Sequence, residues 1–143
     1  MATINRSALV EYSAQQMFDL VNDIEKYPLF MQGCRSASVI SRSEDELIGE
    51  LCLAKAGISQ RFTTRNRLQA PHQIDMQLVK GNFSNFHARW TFDALSDTAC
   101  KMSLQMEFEF KYGLVDFAAE KLFSSSANNQ VDALVKRAHQ VYS

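Results

Sequence analysis

The sequence predicts an α+β fold of the helix-grip type, in which a curved antiparallel sheet of about seven strands wraps around a long C-terminal helix. From Cys34 to Phe110, apolar residues recur with the two-residue period of strands, and the connections are short enough for antiparallel hairpins. From Gly113 to Tyr142, apolar residues recur at helical spacing and share one face. A twisted sheet with one apolar face curls around the only element long enough to cover it.

The composition predicts a single domain over residues 1–143 with a substantial core, because 46% of the residues are hydrophobic. The net charge of -1 gives no reason to expect DNA as a partner. The cysteines Cys34, Cys52 and Cys100 are odd in number and far apart, which favours reduced thiols over a disulfide framework. The sequence shows neither a signal peptide nor an apolar run of membrane-spanning length, so we expect a soluble cytoplasmic protein.

The N-terminal part of the chain predicts a strand followed by a helix. Residues Thr3 to Tyr12 alternate weakly between apolar and polar, as a strand does. Ser13 followed by Gln16 is a capping-box pattern that marks the start of a helix. Pro28 disfavours helical backbone at the residue before it, so we expect the helix to end there.

The connection after this helix is unusually apolar. It runs from Tyr27 to Met31 and is closed by Gly33. Two interpretations stay open: the segment tucks into the core, or it forms a lid or a membrane-facing lip at the mouth of a pocket. The second interpretation implies transient contact with a membrane.

Six further strands are predicted by alternating patterns between short clusters of turn residues. They lie at about Ser36 to Arg42, Leu47 to Lys55, Ile58 to Leu68, Ile74 to Lys80, Phe86 to Ala94 and Cys100 to Phe110. The last of these strands alternates most regularly, which indicates one dry face and one wet face.

The C-terminal helix is marked by charges that complement its dipole. Asp116 and Glu120 lie near its start, and Lys136 and Arg137 lie near its end. Its middle, Ser124 to Asn129, is rich in small polar side chains. This stretch is either a bend or solvated turn, or a face that borders a cavity.

The inward face of the sheet predicts a soft apolar lining, because methionine and phenylalanine adapt to irregular volumes. Such a lining suits either a filled core or a pocket for a flexible apolar ligand. The candidate cavity residues are Phe30, Leu53, Gln60, Phe62, Thr64, Asn66, Met76, Leu78, Phe86, Trp90, Phe92, Met102, Leu104, Met106, Phe108 and Leu122.

Three polar residues share the inward phase of one strand: Gln60, Thr64 and Asn66. Polar side chains on a dry face cost free energy unless they find partners. They bond either to each other and to trapped water, or to the oxygens of a ligand head group.

The outward face carries a group of arginines, Arg61, Arg65, Arg67 and Arg89. One interpretation is a solvated face whose arginines pair across strands with Glu107 and Glu109. The other is a surface that binds RNA or phosphate.

The sequence offers no convincing catalytic pattern. His72, His87 and His139 lack the spacing of metal ligands, and there is neither a nucleophile elbow nor a glycine-rich phosphate loop. We therefore expect a protein that is not an enzyme and that needs neither a metal nor a catalytic cofactor.

Several runs resemble a known family, the coenzyme Q-binding START-like family of the polyketide cyclase superfamily. The resemblance covers nearly the whole chain and is carried by Val21 to Phe30, Lys55 to Ser59, Phe62 to Asn66, Phe83 to Phe92 and Phe108 to Phe110. It implies a START/Bet v 1-like helix-grip fold, in agreement with the patterns above.

The resemblance also implies two different activities. One branch of the family is described as binding ubiquinone, as a lipid chaperone that supports respiration. Another, bacterial branch is described as binding the large ribosomal subunit and blocking the association of ribosomal subunits. Our leading expectation is a ubiquinone carrier, with the tail between sheet and helix and the quinone oxygens near Gln60, Thr64 and Asn66. The alternative is a ribosome-binding protein that uses the arginine face.

Overall fold

The computed structural model describes residues 2–111 and 117–143. The chain begins with a strand and a helix, continues through six strands and ends in a long helix, in the order that the sequence predicts. The elements are β1 (Ala2–Val10), α1 (Ala14–Asn22), a 3₁₀ helix (Ile24–Leu29), β2 (Cys34–Arg42), β3 (Glu46–Lys55), β4 (Ile58–Gln69), β5 (Gln73–Lys80), β6 (Phe83–Ser96), β7 (Ala99–Phe110) and α2 (Phe117–Tyr142).

The seven strands form one antiparallel sheet in the order β1-β7-β6-β5-β4-β3-β2. Every strand from β2 to β7 pairs with its neighbours in sequence, as short hairpin connections require. The N-terminal strand instead pairs with β7 along its whole length, from Ala2 opposite Phe108 to Val10 opposite Cys100. The predicted helix-grip class is confirmed, since this curved sheet packs its inner face against α2.

The start of α1 is confirmed and its predicted end is wrong. The Ser13 hydroxyl accepts a hydrogen bond from the Gln16 backbone N–H, and the Gln16 side chain accepts one from the Ser13 N–H. The helix ends at Asn22, and Pro28 lies inside the following 3₁₀ helix. Asn22 and Asp23 have low helix propensity, and the backbone of Asp23 is not helical (φ -86°, ψ 67°), so the α-helix stops before proline can end it.

The apolar connection after α1 divides between core and surface. Tyr27 and Met31 are buried, Phe30 is half-buried, and Leu29 is 68% exposed. Neither interpretation of the sequence therefore holds for the whole segment, because Tyr27 and Met31 face the core while Pro28 and Leu29 between them face solvent.

The turn between β3 and β4 has two residues, Ala56 and Gly57, and both have positive φ (52° and 83°). Positive φ at both central positions is the signature of a type I′ hairpin turn, whose twist matches the twist of the flanking strands. Alanine is an unusual residue there, because its Cβ crowds the backbone in the left-handed region.

Phenylalanines dominate the contact between the sheet and the first half of α2. Phe123 of α2 lies with its ring centroid 4.8 Å from that of Phe108, 5.0 Å from Phe83 and 5.5 Å from Phe62. The second half of α2 contributes Val131, Leu134 and Ala138, which are completely buried. Edge-to-face aromatic pairs and aliphatic burial together hold the helix in the sheet.

The described part of α2 is helical without interruption from Phe117 to Tyr142, so the solvated turn that was one alternative for Ser124 to Asn129 is absent. The predicted start at Gly113 and the acidic Asp116 lie outside the described residues. In the described ranges, no helix has the length and apolarity needed to cross a membrane.

Candidate functional site

Two small cavities lie between the sheet and α2, with volumes of about 40 and 30 Å³. Tyr27, Leu51, Met76 and Gln130 border both of them. The larger cavity is further lined by Met31, Cys34, Leu53, Phe62, Phe86, Met106, Phe123, Ser126 and Ala127. The smaller is further lined by Val21, Asn22, Ile24, Gly49, Thr64, Asn66, Ile74 and Trp90.

The structure distributes the candidate cavity residues over several environments. Those that border a cavity are Leu53, Phe62, Thr64, Asn66, Met76, Phe86, Trp90 and Met106. Seven others lie outside both linings. Four of them are in the packed core: Phe92, Met102, Leu104 and Phe108. Gln60 is also buried, and Leu78 and Leu122 are half-buried. Phe30 lines a groove on the surface instead. Alternation identifies the inward face of a strand, but it does not show where packing against the helix is incomplete.

The three inward-facing polar residues behave in two ways. The Thr64 hydroxyl donates a hydrogen bond of 2.8 Å to Asn66 Oδ1, so these two side chains satisfy each other in part. Neither the amide nitrogen nor the amide oxygen of Gln60 has a hydrogen-bond partner among the described residues, although both atoms are buried. Leu53, directly opposite Gln60 on β3, and Phe62 both line the larger cavity. An unsatisfied amide beside a cavity is a feature that a polar ligand atom could complete.

The cavity wall contains two groups with raised pKa values. The Tyr27 hydroxyl donates a hydrogen bond to the Val21 carbonyl, and burial raises its pKa well above the usual range. Burial also raises the pKa of the Cys34 thiol to about 11. Because the thiolate is the nucleophilic form, this raised pKa disfavours nucleophilic chemistry at Cys34 near neutral pH.

The arginine face is largely neutralised by carboxylates of neighbouring strands. Arg61 pairs with Glu50 at 3.0 Å, and Arg65 pairs with Glu46 at 3.3 Å. Asp75 lies 3.6 Å from Arg89 and 2.7 Å from His87. The fourth arginine, Arg67, is exposed and has Glu46 and Asp75 opposite it on the two flanking strands.

The expected pairing of these arginines with Glu107 and Glu109 is wrong. The register places Glu107 opposite His87 and Glu109 opposite Asn85. The strands that carry the arginines' partners are β3 and β5, on either side of β4. The alternation along one strand predicts on which face of the sheet a charged side chain lies, but it does not predict which strand lies next to it.

A groove on the surface, which we call the helix groove, runs between α2 and the segment that joins the 3₁₀ helix to β2. Its volume is about 570 Å³. Arg137 lies over Phe30 there, with 5.3 Å between its guanidinium carbon and the ring centroid. The lining residues are Leu29, Phe30, Met31, Gln32, Ser126, Asn129, Asp132, Ala133, Lys136, Arg137 and Gln140.

A family model described as polyketide cyclase / dehydrase and lipid transport matches residues 10–135. The chain belongs to this family. The resemblance in the sequence to the polyketide cyclase superfamily is thereby confirmed.

Relatives with high identity span almost the whole chain. The "Ribosome association toxin RatA" of Vibrio cholerae serotype O1 is 43% identical over 142 residues, which cover 99% of each protein. The protein of the same name from Pseudomonas aeruginosa is 44% identical and covers 97% of this chain and 96% of the relative. A "Coenzyme Q-binding protein COQ10 homolog B, mitochondrial" from Xenopus laevis is 27% identical, covering 96% of this chain and 58% of that protein.

Solved structures agree on the fold. A START superfamily protein from Mycobacterium smegmatis is 21% identical, with a TM-score of 0.79, and covers 97% of this chain and 98% of that one. The Zhui aromatase/cyclase from Streptomyces is 12% identical, with a TM-score of 0.82, and covers 97% and 94% of the two chains. At these identities the likeness concerns the architecture alone.

Sequence reasoning missed part of the site. The larger cavity is also bordered by Tyr27 and Met31, which precede β2, and by Cys34, the first residue of β2. From α2 it is bordered by Ser126 and Gln130. The apolar segment from Tyr27 to Met31 was the available signal for Tyr27 and Met31, and the polar middle of α2 was the signal for Ser126. No cluster of three or more metal-ligating side chains occurs within residues 2–111 and 117–143.

Proposed function

We propose that this protein binds the large ribosomal subunit in the cytoplasm and hinders the association of ribosomal subunits, without catalysing a reaction. The observation that carries the proposal is the full-length identity of 43–44% with proteins named ribosome association toxins. The relative named for coenzyme Q binding is more distant, at 27% identity. Because family members with one fold differ in function, the higher identity favours ribosome association over coenzyme Q binding.

The size of the interior cavities supports the same order of preference. An apolar cavity of about 150 Å³ accommodates a benzene molecule. The two cavities here measure about 40 and 30 Å³. A quinone ring with an isoprenoid tail would therefore have to displace packed side chains such as Phe62 and Phe123.

Co-sedimentation with purified ribosomal subunits tests the proposal. The full chain is mixed with large or small subunits and layered on a sucrose gradient, and its position is read by immunoblot. We expect it to travel with large subunits and to reduce the yield of joined ribosomes when it is added before the small subunits. A protein that stays at the top of both gradients would contradict ribosome binding.

A second candidate function, binding of a hydrophobic ligand such as ubiquinone, is favoured by Gln60. Its buried amide has no partner among the described residues and lies beside residues of the larger cavity. Trp90, the only tryptophan, lines the adjacent cavity and reports on its contents. Saturable quenching of Trp90 by a short-chain ubiquinone, weakened in Gln60→Leu, would support this function. Linear quenching that is the same in both proteins would exclude it.

A further inference from the structure

The helix groove combines cations that have no acidic partner. Lys136 is exposed, and neither it nor Arg137 forms an ion pair with any described residue. The only carboxylate in the groove lining, Asp132, is paired with Arg6 at 3.0 Å. The groove therefore presents unneutralised positive charge, in contrast to the arginine face, where three arginines have carboxylates within 3.6 Å.

Arg137 is held in an orientation that suits a nucleotide. Its guanidinium lies against the half-buried ring of Phe30, and its Nε is buried without a hydrogen-bond partner in the described structure. Aromatic rings and arginine planes are the surfaces on which unpaired bases stack. The guanidinium edge that stays free can donate to phosphate oxygens.

Side-chain amides complete the groove. Gln32, Asn129 and Gln140 are exposed and line it together with the two cations. Amides carry donors and acceptors that match base edges. The volume of about 570 Å³ lies within the range of roughly 300–1,000 Å³ typical of clefts that enclose small organic molecules. A membrane surface would instead favour a protruding apolar patch, and Leu29 is the one strongly exposed large apolar side chain among the described groove residues.

We propose that the helix groove binds an unpaired segment of RNA, with a base stacked at Phe30 and Arg137 and its phosphates near Lys136 and Arg137. The inference rests on the proposed ribosome binding, since it names the chemical component that the protein contacts. The surface that contacts the ribosome is then the helix groove and not the arginine face.

The test compares two double variants of the full chain that change the net charge equally. Lys136→Gln with Arg137→Gln alters the groove, and Arg61→Gln with Arg65→Gln alters the arginine face. Binding of a fluorescein-labelled single-stranded RNA of about 12 nucleotides is followed by anisotropy between 50 and 200 mM salt. Circular dichroism melting establishes that each variant is folded. If the groove double variant does not fold, the single variant Lys136→Gln is used in its place.

We expect the groove variant to bind the RNA at least about tenfold more weakly than the arginine-face variant. Its plot of log affinity against log salt should be shallower by about 1.4, because each lost phosphate contact to a single strand changes the slope by about 0.7. Phe30→Leu should weaken binding several-fold at an unchanged slope, since it removes stacking and no charge. The proposal that the groove binds RNA would be overturned if the two double variants bound the RNA equally well. It would also be overturned if only the arginine-face variant lost RNA affinity.

Two further arms separate the groove from its alternatives. In the first arm, the protein is titrated with vesicles that contain phosphatidylglycerol. If it binds the vesicles more tightly than the RNA, and the groove variant loses this vesicle binding, the groove is a membrane-binding site and the RNA proposal is overturned. In the sucrose gradient, a groove variant that still travels with large subunits would overturn the inference and leave ribosome binding intact. Wild-type protein that binds the RNA through the groove but not the subunits would support the groove and contradict the proposed function.

Discussion

The guanidinium of Arg137 lies 5.3 Å from the ring centroid of Phe30 and ties the last turns of α2 to the segment that precedes β2. Both residues line the helix groove, and the neighbouring Met31 borders the groove on one side and the larger cavity on the other. The same contact thus contributes to stability and shapes the proposed RNA site.

Replacing the aromatic member of this pair should destabilise the protein. We expect Phe30→Ala to lower the free energy of unfolding by about 1–2 kcal/mol, because it removes a cation–π contact and a half-buried ring. Urea unfolding followed by circular dichroism measures the change. Leu29→Ala is the control, since Leu29 is 68% exposed and should change stability by less than about 0.5 kcal/mol. Equal losses in the two variants would show that the stacked pair contributes nothing specific.

The unsatisfied amide of Gln60 predicts a stabilising substitution. Gln60→Leu should raise the free energy of unfolding by about 1 kcal/mol, because it removes two buried polar atoms that lack partners. Asn66→Leu, on the same strand and face, should lower it, since Thr64 would lose its hydrogen-bond acceptor. Chemical denaturation of the two variants side by side measures both signs. A loss of stability in Gln60→Leu would mean that the amide is satisfied in solution.

The β3–β4 turn offers a test of backbone strain. Ala56→Asn should raise the free energy of unfolding by about 0.5–1 kcal/mol, because asparagine tolerates the positive φ of 52° better than alanine does. Gly57→Ala should lower it by a similar amount. The space around Gly57 is open, so that loss would come from the backbone alone. Thermal melting of both variants gives the comparison, and a neutral Gly57→Ala would refute the assignment of the turn.

Gly49 on β3 lies close to the side chain of Ile24, the first residue of the 3₁₀ helix. A Cβ at this position would push against Cδ1 of Ile24, the end of a side chain that can shift, so Gly49→Ala should destabilise the protein by about 1 kcal/mol. Ile24→Val removes that terminal methyl group. The double variant should therefore recover part of the loss in a double-mutant cycle, whereas strictly additive effects would contradict the contact.

The thiol of Cys34 predicts a dependence of stability on alkaline pH. Burial raises its pKa from 9.0 to about 11 in the folded protein, so folding favours the neutral thiol. This contribution is fully present below pH 9 and is lost as the pH rises towards 11. Stability measured between pH 8 and 11 should therefore fall less in Cys34→Ala than in the wild type. Curves of the same slope for both proteins would contradict a buried, neutral thiol.

How much of the structure the sequence predicts can be seen at particular residues. The capping box at Ser13 was predictable because it needs only residues three apart. The end of α1 at Asn22 was not, since the proline signal at Pro28 outweighed the weaker signals of Asn22 and Asp23. The inward phase of Gln60, Thr64 and Asn66 followed from alternation, but the bond between Thr64 and Asn66 depends on their rotamers.

The sequence by itself determined the class of fold, the seven strands, the inward face and the long helix, because hydrophobic periods and turn residues act locally along the chain. Tertiary structure alone decided which inward residues border a cavity and which carboxylates neutralise Arg61, Arg65 and Arg89. It also brought Phe30 to Arg137. These relationships arise from strand order, register and the packing of α2, which join residues far apart in sequence and leave no periodic trace in it.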